Sequence, residues 1–343
     1  KISEYSKRKY PYSFIIDELD IQCDECGKYM NRVNKVFNPL FTSSASPWAQ
    51  LGYPRDKYGY QSWWPGKILS ANVGLDYTDI FTANISLSYH LFDESSVESM
   101  FIHGDIETEL DKLPSDKIED IGYDSLRLKL LSEKPPWEDR ELTDEDLNQA
   151  NKLIRVFWNL YNFTDKNIKE HDFSPEEVTM DYLKQAMPPE DEWLLSRLES
   201  VKKEMKNAFI DLRFDRAISV LKDFLVNDIA QWYISVGRAR MKNEEEKNKQ
   251  SLMKVLYEIL LTVSKLSTPL IPHTAETIYQ DLNGNEVSVF SNKWPTSDKL
   301  LRNKNVEEEM NIIKNIVEEI IEYKKQSDLP LKWPLKRIIV DCQ

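Results

Sequence analysis

The sequence predicts a two-part fold, in which an α/β unit is followed by a bundle of α-helices. Up to residue 132, short apolar runs alternate with helical patterns, as in strand–helix–strand units on a parallel sheet. From Thr143 onward, apolar residues recur at helical spacing in several long segments. Hydrophobic residues make up 41% of the chain, which is enough to fill a core in each part.

Composition divides the chain into four predicted segments. Its 343 residues suffice for roughly two domains of ~150 residues each. Residues 1–60 are irregular and rich in turn-forming residues, and residues 61–135 form the α/β part, which ends in a charged, proline-rich boundary. Residues 136–300 form the helical bundle, and residues 301–343 combine one more helix with a terminal strand, "LPLKWPLKRIIVD".

The α/β part has two candidate strands, "GKIL" and "SMFIHG", and two candidate helices, "YTDIFTANISLSYHLF" and "YDSLRLKLL". These strands are too few for a complete parallel sheet. We therefore predict half of such a sheet.

The bundle is predicted from apolar stripes and from helix-start signals. Thr143 can cap the first helix with acids in its first turn, and Ser174-Pro175 places proline at a first helical position. Each stripe needs a partner for burial, which favours a bundle. The stripes are Leu153, Val156, Phe157, Leu160 and Tyr161; Leu194, Leu198, Val201, Met205 and Phe209; Ile218, Leu221, Leu225, Ile229, Trp232 and Val236; and Leu252, Val255, Ile259, Leu260 and Val263.

The net charge of −13 and the pI of about 5.0 exclude a generic basic nucleic-acid-binding protein, and we expect no DNA partner. A shaped RNA-binding surface with local basic patches remains compatible with this charge. No apolar run approaches the ~20 residues of a membrane span, so no membrane partner is expected. The N-terminus lacks a signal-peptide pattern, and three cysteines fit a reducing setting, which predicts a cytoplasmic protein.

Motifs for cofactor chemistry are weak. The nine glycines include none at GxG spacing, so neither a phosphate-binding loop nor a dinucleotide fingerprint is expected. Cys23 and Cys26 form a lone CxxC, which leaves two readings open, a metal ligand pair or a reduced turn. Zinc needs four ligands, so we predict no bound cofactor. No acid pair stands out for general acid–base work, and we predict no catalytic residue.

Two clusters are candidate RNA contacts. Lys332, Trp333, Lys336 and Arg337 place cations around an aromatic ring, which suits stacking on single-stranded RNA; the alternative is a core tryptophan beside surface lysines. The second cluster is Trp232, Arg238 and Arg240. Trp232 lies on an apolar stripe and can equally be core, and the two arginines lie near a helix C-terminus, where cations are favoured anyway.

Long stretches resemble isoleucyl-tRNA synthetases, a class I family. The anticodon-binding helical domain of that family resembles "DEWLLSRLESVKKEMKNAFIDLRFDRAISVLKDFLVNDIAQWYISVGRAR", "VFWNLYNF", "TPLIPHTAETIYQ" and "LPLKWPLKRIIV". The second half of the family's catalytic core resembles "WWPGKILSANVGLDYTDIF" and "FIHG". The resemblance implies a partial class I Rossmann-type half-domain, an anticodon-binding-type helical bundle and the start of a small C-terminal α/β module.

The catalytic half departs from the family pattern. Where the family has Trp-Phe-Asp-Ser-Gly, "LFTSSA" keeps only the Phe and the Ser. Where it has Glu-Gly-x-Asp-Gln-Thr-Arg-Gly-Trp-Phe, "NVGLDYTDIF" keeps Gly74, Asp76 and Thr78 but has Asp79 about where the Arg belongs. The Lys-Met-Ser-Lys-Ser loop that should follow His103 and Gly104 is absent.

The replacement segment, residues 104–120, has seven acids and two lysines, and this charge would repel a triphosphate. His103, Gly104, Gly74, Asp76 and Thr78 are therefore interpreted as relics of a nucleotide site.

The expected function is that of a truncated, degenerate and non-catalytic paralogue, a pseudoenzyme, which binds tRNA or another structured RNA such as that of the ribosome. A first alternative is one portion of an active, ATP-dependent isoleucyl-tRNA synthetase whose nucleotide-binding half lies elsewhere. A second is a scaffold that contacts another protein chain.

Overall fold

The computed structural model describes residues 21–30, 35, 38–72, 77–108, 122–132, 134–142, 144–180, 187–243, 245–284 and 287–339. The chain divides into two compact units, residues 1–102 and residues 103–343. The larger one is called the helical unit below. Among the described helices, none combines the length and the apolar character that crossing a bilayer requires. The four-segment division made from composition stays a prediction.

The first unit begins with a short antiparallel hairpin of β1 (Ile21–Gln22) and β2 (Tyr29–Met30), in which Ile21 faces Met30. Three short helices follow, α1 (Pro39–Ser44), α2 (Ser46–Ala49) and α3 (Lys57–Trp63). Strand β3 (Gly66–Asn72), helix α4 (Tyr77–Phe92) and strand β4 (Val97–His103) then follow in order, and the two strands pair in one sheet. The predicted strand–helix–strand order is therefore present.

A small core holds this unit together. Leu69, Ile80 and Val97 are buried against one another. Beside them lies a buried polar network, in which the Asn84 side chain donates to the Ser44 carbonyl at 2.7 Å and accepts from Ser96 at 2.8 Å. Each of these polar groups therefore has the partner that burial demands.

The helical unit opens with β5 (Ile106–Thr108), which pairs in parallel with β6 (Arg140–Leu142), and with helix α5 (Tyr123–Leu131) between them. The remaining α-helices form the bundle, with a ten-residue π-helical segment (Phe224–Tyr233) inside it. They are α6 (Asp144–Glu170), α7 (Pro189–Ile210), α8 (Phe214–Asp223), α9 (Ile234–Asn243), α10 (Glu246–Ser267), α11 (Pro272–Asn283) and α12 (Lys304–Gln326).

One continuous core joins these helices, and most of the predicted stripes point into it. Phe157, Leu194, Leu221 and Leu260 are each at most 1% exposed, so the stripes bury one another as expected. The bundle prediction is confirmed at this level.

Helix α5 fixes the joint between α10 and α11. The Asp124 carboxylate accepts from the Thr274 N–H at 2.7 Å at the start of α11, where an anion is favoured. One turn later, the Arg127 guanidinium donates to the carbonyls of Pro269 at 2.7 Å and Leu270 at 3.2 Å. Both sides of the proline-containing joint are thereby bonded to a single helix.

Three local predictions have different outcomes in the structure. The terminal strand is wrong as far as Ile339, because residues 329–339 form a turn and irregular chain. Ser174-Pro175 does place proline at a first helical position, but in a short 3₁₀ turn (Pro175–Glu177). The predicted cap Thr143 lies outside the described residues.

Candidate nucleic-acid interface

The two predicted RNA-binding clusters lie toward the same end of the bundle. Along α7, Ser200 bonds to Glu307 of α12, whereas Trp193, earlier in α7, lies under the Lys314 amine. Helix α12 therefore runs antiparallel to α7. The π segment and α9 run in that same direction, since Asp228 bonds to Arg197 while Arg240 bonds to Asp191. The last turns of α9 and α12 thus approach the N-terminal end of α7.

The end of α12 projects past α7. Lys314 lies level with Trp193, only four residues after the first residue of α7. Lys324 is ten residues further along α12, or about 15 Å at the α-helical rise per residue. The final turn of α12 and the chain after it therefore lie beyond the N-terminal end of α7.

The segment after α12, residues 329–337, is here called the basic turn. Helix α12 ends at Gln326, Asp328 shortly after it has a left-handed φ of 54°, and the Leu329 N–H then donates to the Lys324 carbonyl at 2.8 Å. This is the helix-ending pattern in which a left-handed residue reverses the chain. The Trp333 N–H donates to the Pro330 carbonyl at 3.0 Å, which closes the turn.

The predicted contact residues of the basic turn are accessible. Trp333 is 61% exposed, which excludes the alternative of a tryptophan packed in the core. Lys332, Lys336 and Arg337 are exposed, and within the described residues none of them forms an ion pair. Residues 329–339 contain no acid, although the whole chain carries a net charge of −13. The turn is therefore a local cationic surface with an aromatic ring.

The structure places the residues of the second cluster, Trp232, Arg238 and Arg240, in different environments. Arg238 is exposed in the middle of α9, outside its last turn. Arg240 is only 5% exposed and donates to both carboxylate oxygens of buried Asp191. Burial opposes its charge, but the hydrogen bonds and charge of Asp191 outweigh burial and raise the pKa of Arg240. The prediction of Arg240 as an RNA contact is therefore corrected, because its guanidinium is used inside the bundle.

Trp232 is also a packing residue. Its ring packs against the core, and its indole nitrogen is buried without a hydrogen-bond partner among the described residues. The Lys314 amine lies 5.9 Å from the Trp232 ring and 4.3 Å from the Trp193 ring, and it bonds to Asp228 at 2.5 Å. The prediction of Trp232 as an RNA contact is corrected in favour of the core alternative.

Three of the residues interpreted as relics of a nucleotide site, Thr78, His103 and Gly104, lie among the described residues. His103 is half-buried, with its Nδ1 atom 3.1 Å from the Gly104 carbonyl oxygen. Close packing favours glycine at position 104, since a Cβ there would lie 2.4 Å from the backbone of Glu138. Thr78 lies exposed in the first turn of α4. Gly74 and Asp76 lie outside the described residues, as do residues 109–121 of the acidic segment.

The cysteine pair lies in the hairpin turn between β1 and β2. Cys23 is half-exposed and Cys26 is exposed. Hydrogen bonds from the backbone N–H groups of Cys26 and Glu25 lower the pKa of the Cys23 thiol. Within the described ranges, no third His, Cys, Asp or Glu joins the pair to form a metal-binding group.

Lys324 belongs to this interface and was not singled out from the sequence. Its amine donates to the carbonyls of Leu331 at 2.9 Å and Trp333 at 2.5 Å, and its side chain is buried. A lysine in the last turn of a helix is a usual C-terminal signal. The sequence "YKKQ" gives no means, however, of telling Lys324 from its exposed neighbour Lys325.

The sequence profile of a family described as "Anticodon-binding domain of tRNA ligase" matches residues 191–339. The isoleucine–tRNA ligase of Methanocella arvoryzae is 31% identical over 345 residues, which cover 96% of this chain and 31% of the relative. That of Methanosarcina barkeri is 30% identical and covers 95% of this chain and 32% of the relative. The chain thus spans about a third of the length of these curated relatives.

Solved structures share the fold. The LeuRS–tRNA–LeuAMS ternary complex of Agrobacterium radiobacter K84 matches with a TM-score of 0.60 at 16% identity, over 85% of this chain and 37% of that one. The methionyl-tRNA synthetase of Mycobacterium tuberculosis in complex with methionyl-adenylate matches with a TM-score of 0.53 at 18% identity, over 81% of this chain and 59% of that one. At these identities the likeness is one of fold.

Proposed function

We propose that this chain, which belongs to the isoleucyl-tRNA synthetase family, binds tRNA through its helical unit. The observation that carries the proposal is the basic turn, where Trp333 is 61% exposed beside three exposed cations. Such a combination neutralises phosphates and stacks on bases. Arg238 adds a further exposed cation toward the same end of the bundle.

The family match supports tRNA as the RNA. The match to the anticodon-binding domain runs from residue 191 to residue 339 and so includes Arg238 and the whole basic turn. The curated relatives are named as isoleucine–tRNA ligases, which favours isoleucine tRNA over other structured RNAs.

We propose further that this chain has no aminoacylation activity by itself. In this proposal residues 61–135 correspond to half of a class I Rossmann-type domain, in which the family's phosphate-handling residues are replaced. Asp79, about where the family has Arg, lies exposed in the first turn of α4. A carboxylate there would repel the phosphates that a guanidinium would bind. The acidic composition of residues 104–120 supports the same conclusion.

A filter-binding or fluorescence-anisotropy titration tests the first proposal. The full chain is titrated into labelled isoleucine tRNA at physiological salt, beside a non-binding acidic protein of similar size. We expect saturable binding that weakens as salt rises, because phosphate contacts release counterions. Affinity no higher than that of the control protein would overturn the proposal.

Isoleucine-dependent exchange of pyrophosphate into ATP tests the second proposal. The chain alone is expected to be inactive. Its similarity to curated ligases over 96% of its length favours one alternative, that it forms part of a working ligase. Exchange by this chain alone would overturn the non-catalytic proposal, whereas exchange that appears only when a nucleotide-binding half is added would establish the alternative.

A further inference from the structure

We infer that Lys324 is a positioning residue of the interface, and that the basic turn it holds binds an unpaired nucleobase; this rests on the proposed function. Lys324 and Lys325 are neighbours with the same charge but opposite environments. Lys324 is 8% exposed, whereas Lys325 lies on the surface. Burying an ammonium group is costly unless its donors are bonded, so the bonds that Lys324 makes account for its position.

Those bonds go to the backbone of the basic turn. The Lys324 amine donates to the carbonyls of Leu331 and Trp333, the residues on either side of Lys332. The Lys324 carbonyl also accepts from the Leu329 N–H at 2.8 Å. A single residue thus fixes the start and the middle of the turn, and the side chains of Lys332 and Trp333 remain exposed.

The exposed ring indicates the kind of base that it binds. Trp333 is 61% exposed, and among the described residues no aromatic or cationic side chain stacks on it, so its ring is accessible for stacking. Bases inside a duplex are already stacked on their neighbours, whereas bases in loops can be splayed out onto aromatic side chains. The turn therefore suits a loop nucleotide, with its flanking phosphates near Lys332 and Lys336.

The test compares binding of the full chain to two RNA probes, a hairpin with the anticodon arm of isoleucine tRNA and a fully paired duplex with the same number of phosphates. The variants are Lys324→Met, the matched control Lys325→Met, Trp333→Ala and the double variant Lys324→Met/Trp333→Ala. Lys324→Arg, which keeps donors at the buried position, tests rescue. Circular dichroism and urea midpoints verify that each variant is folded.

Trp333→Ala is expected to weaken hairpin binding roughly 5- to 150-fold, the value of one stacked base, and to leave duplex binding nearly unchanged. Lys324→Met should approach that loss, whereas Lys325→Met, with the same charge change, should stay under about fivefold. The double variant should bind no worse than Trp333→Ala, because both changes remove the same contact. Lys324→Arg should keep most of the affinity.

Two results overturn the inference without touching the proposed function: hairpin binding by Lys324→Met as strong as that of Lys325→Met, or additive losses in the double variant. An equal loss on hairpin and duplex by Trp333→Ala overturns the assignment to an unpaired base. Wild-type chain that binds isoleucine tRNA but neither probe overturns the inference alone, whereas wild-type chain that does not bind the tRNA either overturns the proposed function.

Discussion

Arg240 of α9 donates from its two terminal nitrogens to the two carboxylate oxygens of Asp191, at 2.5 and 3.0 Å. Tyr233 and Ser251 donate their hydroxyl hydrogens to the same carboxylate at 2.7 and 2.5 Å. Asp191 is fully buried, so four hydrogen bonds replace its lost hydration. This one carboxylate connects α7, the π segment, α9 and α10.

Replacing Arg240 should destabilise the helical unit. Arg240→Met leaves Asp191 as a buried, unpaired charge, which costs about 3–5 kcal/mol. Arg238→Met removes the same charge from the exposed neighbour and should change the free energy of unfolding by less than about 0.5 kcal/mol. Urea unfolding followed by circular dichroism measures both. Equal effects of the two variants would contradict the assignment of Arg240 to the core.

Binding of tRNA should depend on the exposed cations of the proposed interface. Arg238→Met, Lys332→Met and Lys336→Met should each reduce the steepness of log K against log salt by roughly 0.7, the value of one phosphate contact in a single strand. Lys206→Met, an exposed lysine toward the other end of α7, should leave the slope unchanged. A slope that falls equally for Lys206→Met would show that only net charge matters.

Asp124 should contribute as the cap of α11. Asp124→Ala removes the acceptor for the Thr274 N–H and should lower the free energy of unfolding by about 1–2 kcal/mol. Asp124→Asn keeps an acceptor oxygen and should lose less. Glu308→Ala, an exposed acid on α12, serves as the control and should be close to neutral in the same urea titration. A loss for Asp124→Asn as large as that for Asp124→Ala would favour charge over capping.

Tyrosine ionisation should make the protein sensitive to alkaline pH. Burial, together with the charges of Asp165 and Asp281, raises the pKa of Tyr161 to about 12, against about 10 for an unfolded chain. Because the folded pKa is the higher one, the contribution of Tyr161 to stability is complete below about pH 10 and is lost between pH 10 and 12. Absorbance at about 295 nm reports tyrosinate, and the difference between wild type and Tyr161→Phe should titrate near 12. A difference that titrates near 10 would contradict the prediction.

Periodicity was sufficient to predict the helices and the strand–helix–strand order, because both depend on which residues can share a buried face. It was not sufficient to separate Arg238 from Arg240. These residues are two positions apart and so lie about 200° apart around a helix, on opposite faces. Which face meets the core depends on the π segment before them, and no local pattern at Phe224 or Tyr233 indicates that the helix is wider there.

Lys324 and Asp124 show the second limit of sequence reasoning. The partners of Lys324 are backbone carbonyls up to nine residues ahead, and Asp124 bonds to an N–H 150 residues away. The type of a residue in the sequence does not indicate partners at such separations. Trp333, by contrast, was predicted with two alternatives; its exposure excludes the core alternative, and the RNA contact stays a prediction.

The π segment also determines how this chain can tolerate changes in its length. A residue lost within Phe224–Tyr233 can be absorbed as that segment relaxes toward an α-helix, whereas a residue lost within α9 before Arg240 would turn the residues after it by about 100°. Arg240 would leave the Asp191 carboxylate, and a neighbour without a matching charge would take its place. A single-codon deletion in α9 before Arg240 would therefore disconnect α7, the π segment, α9 and α10 at once.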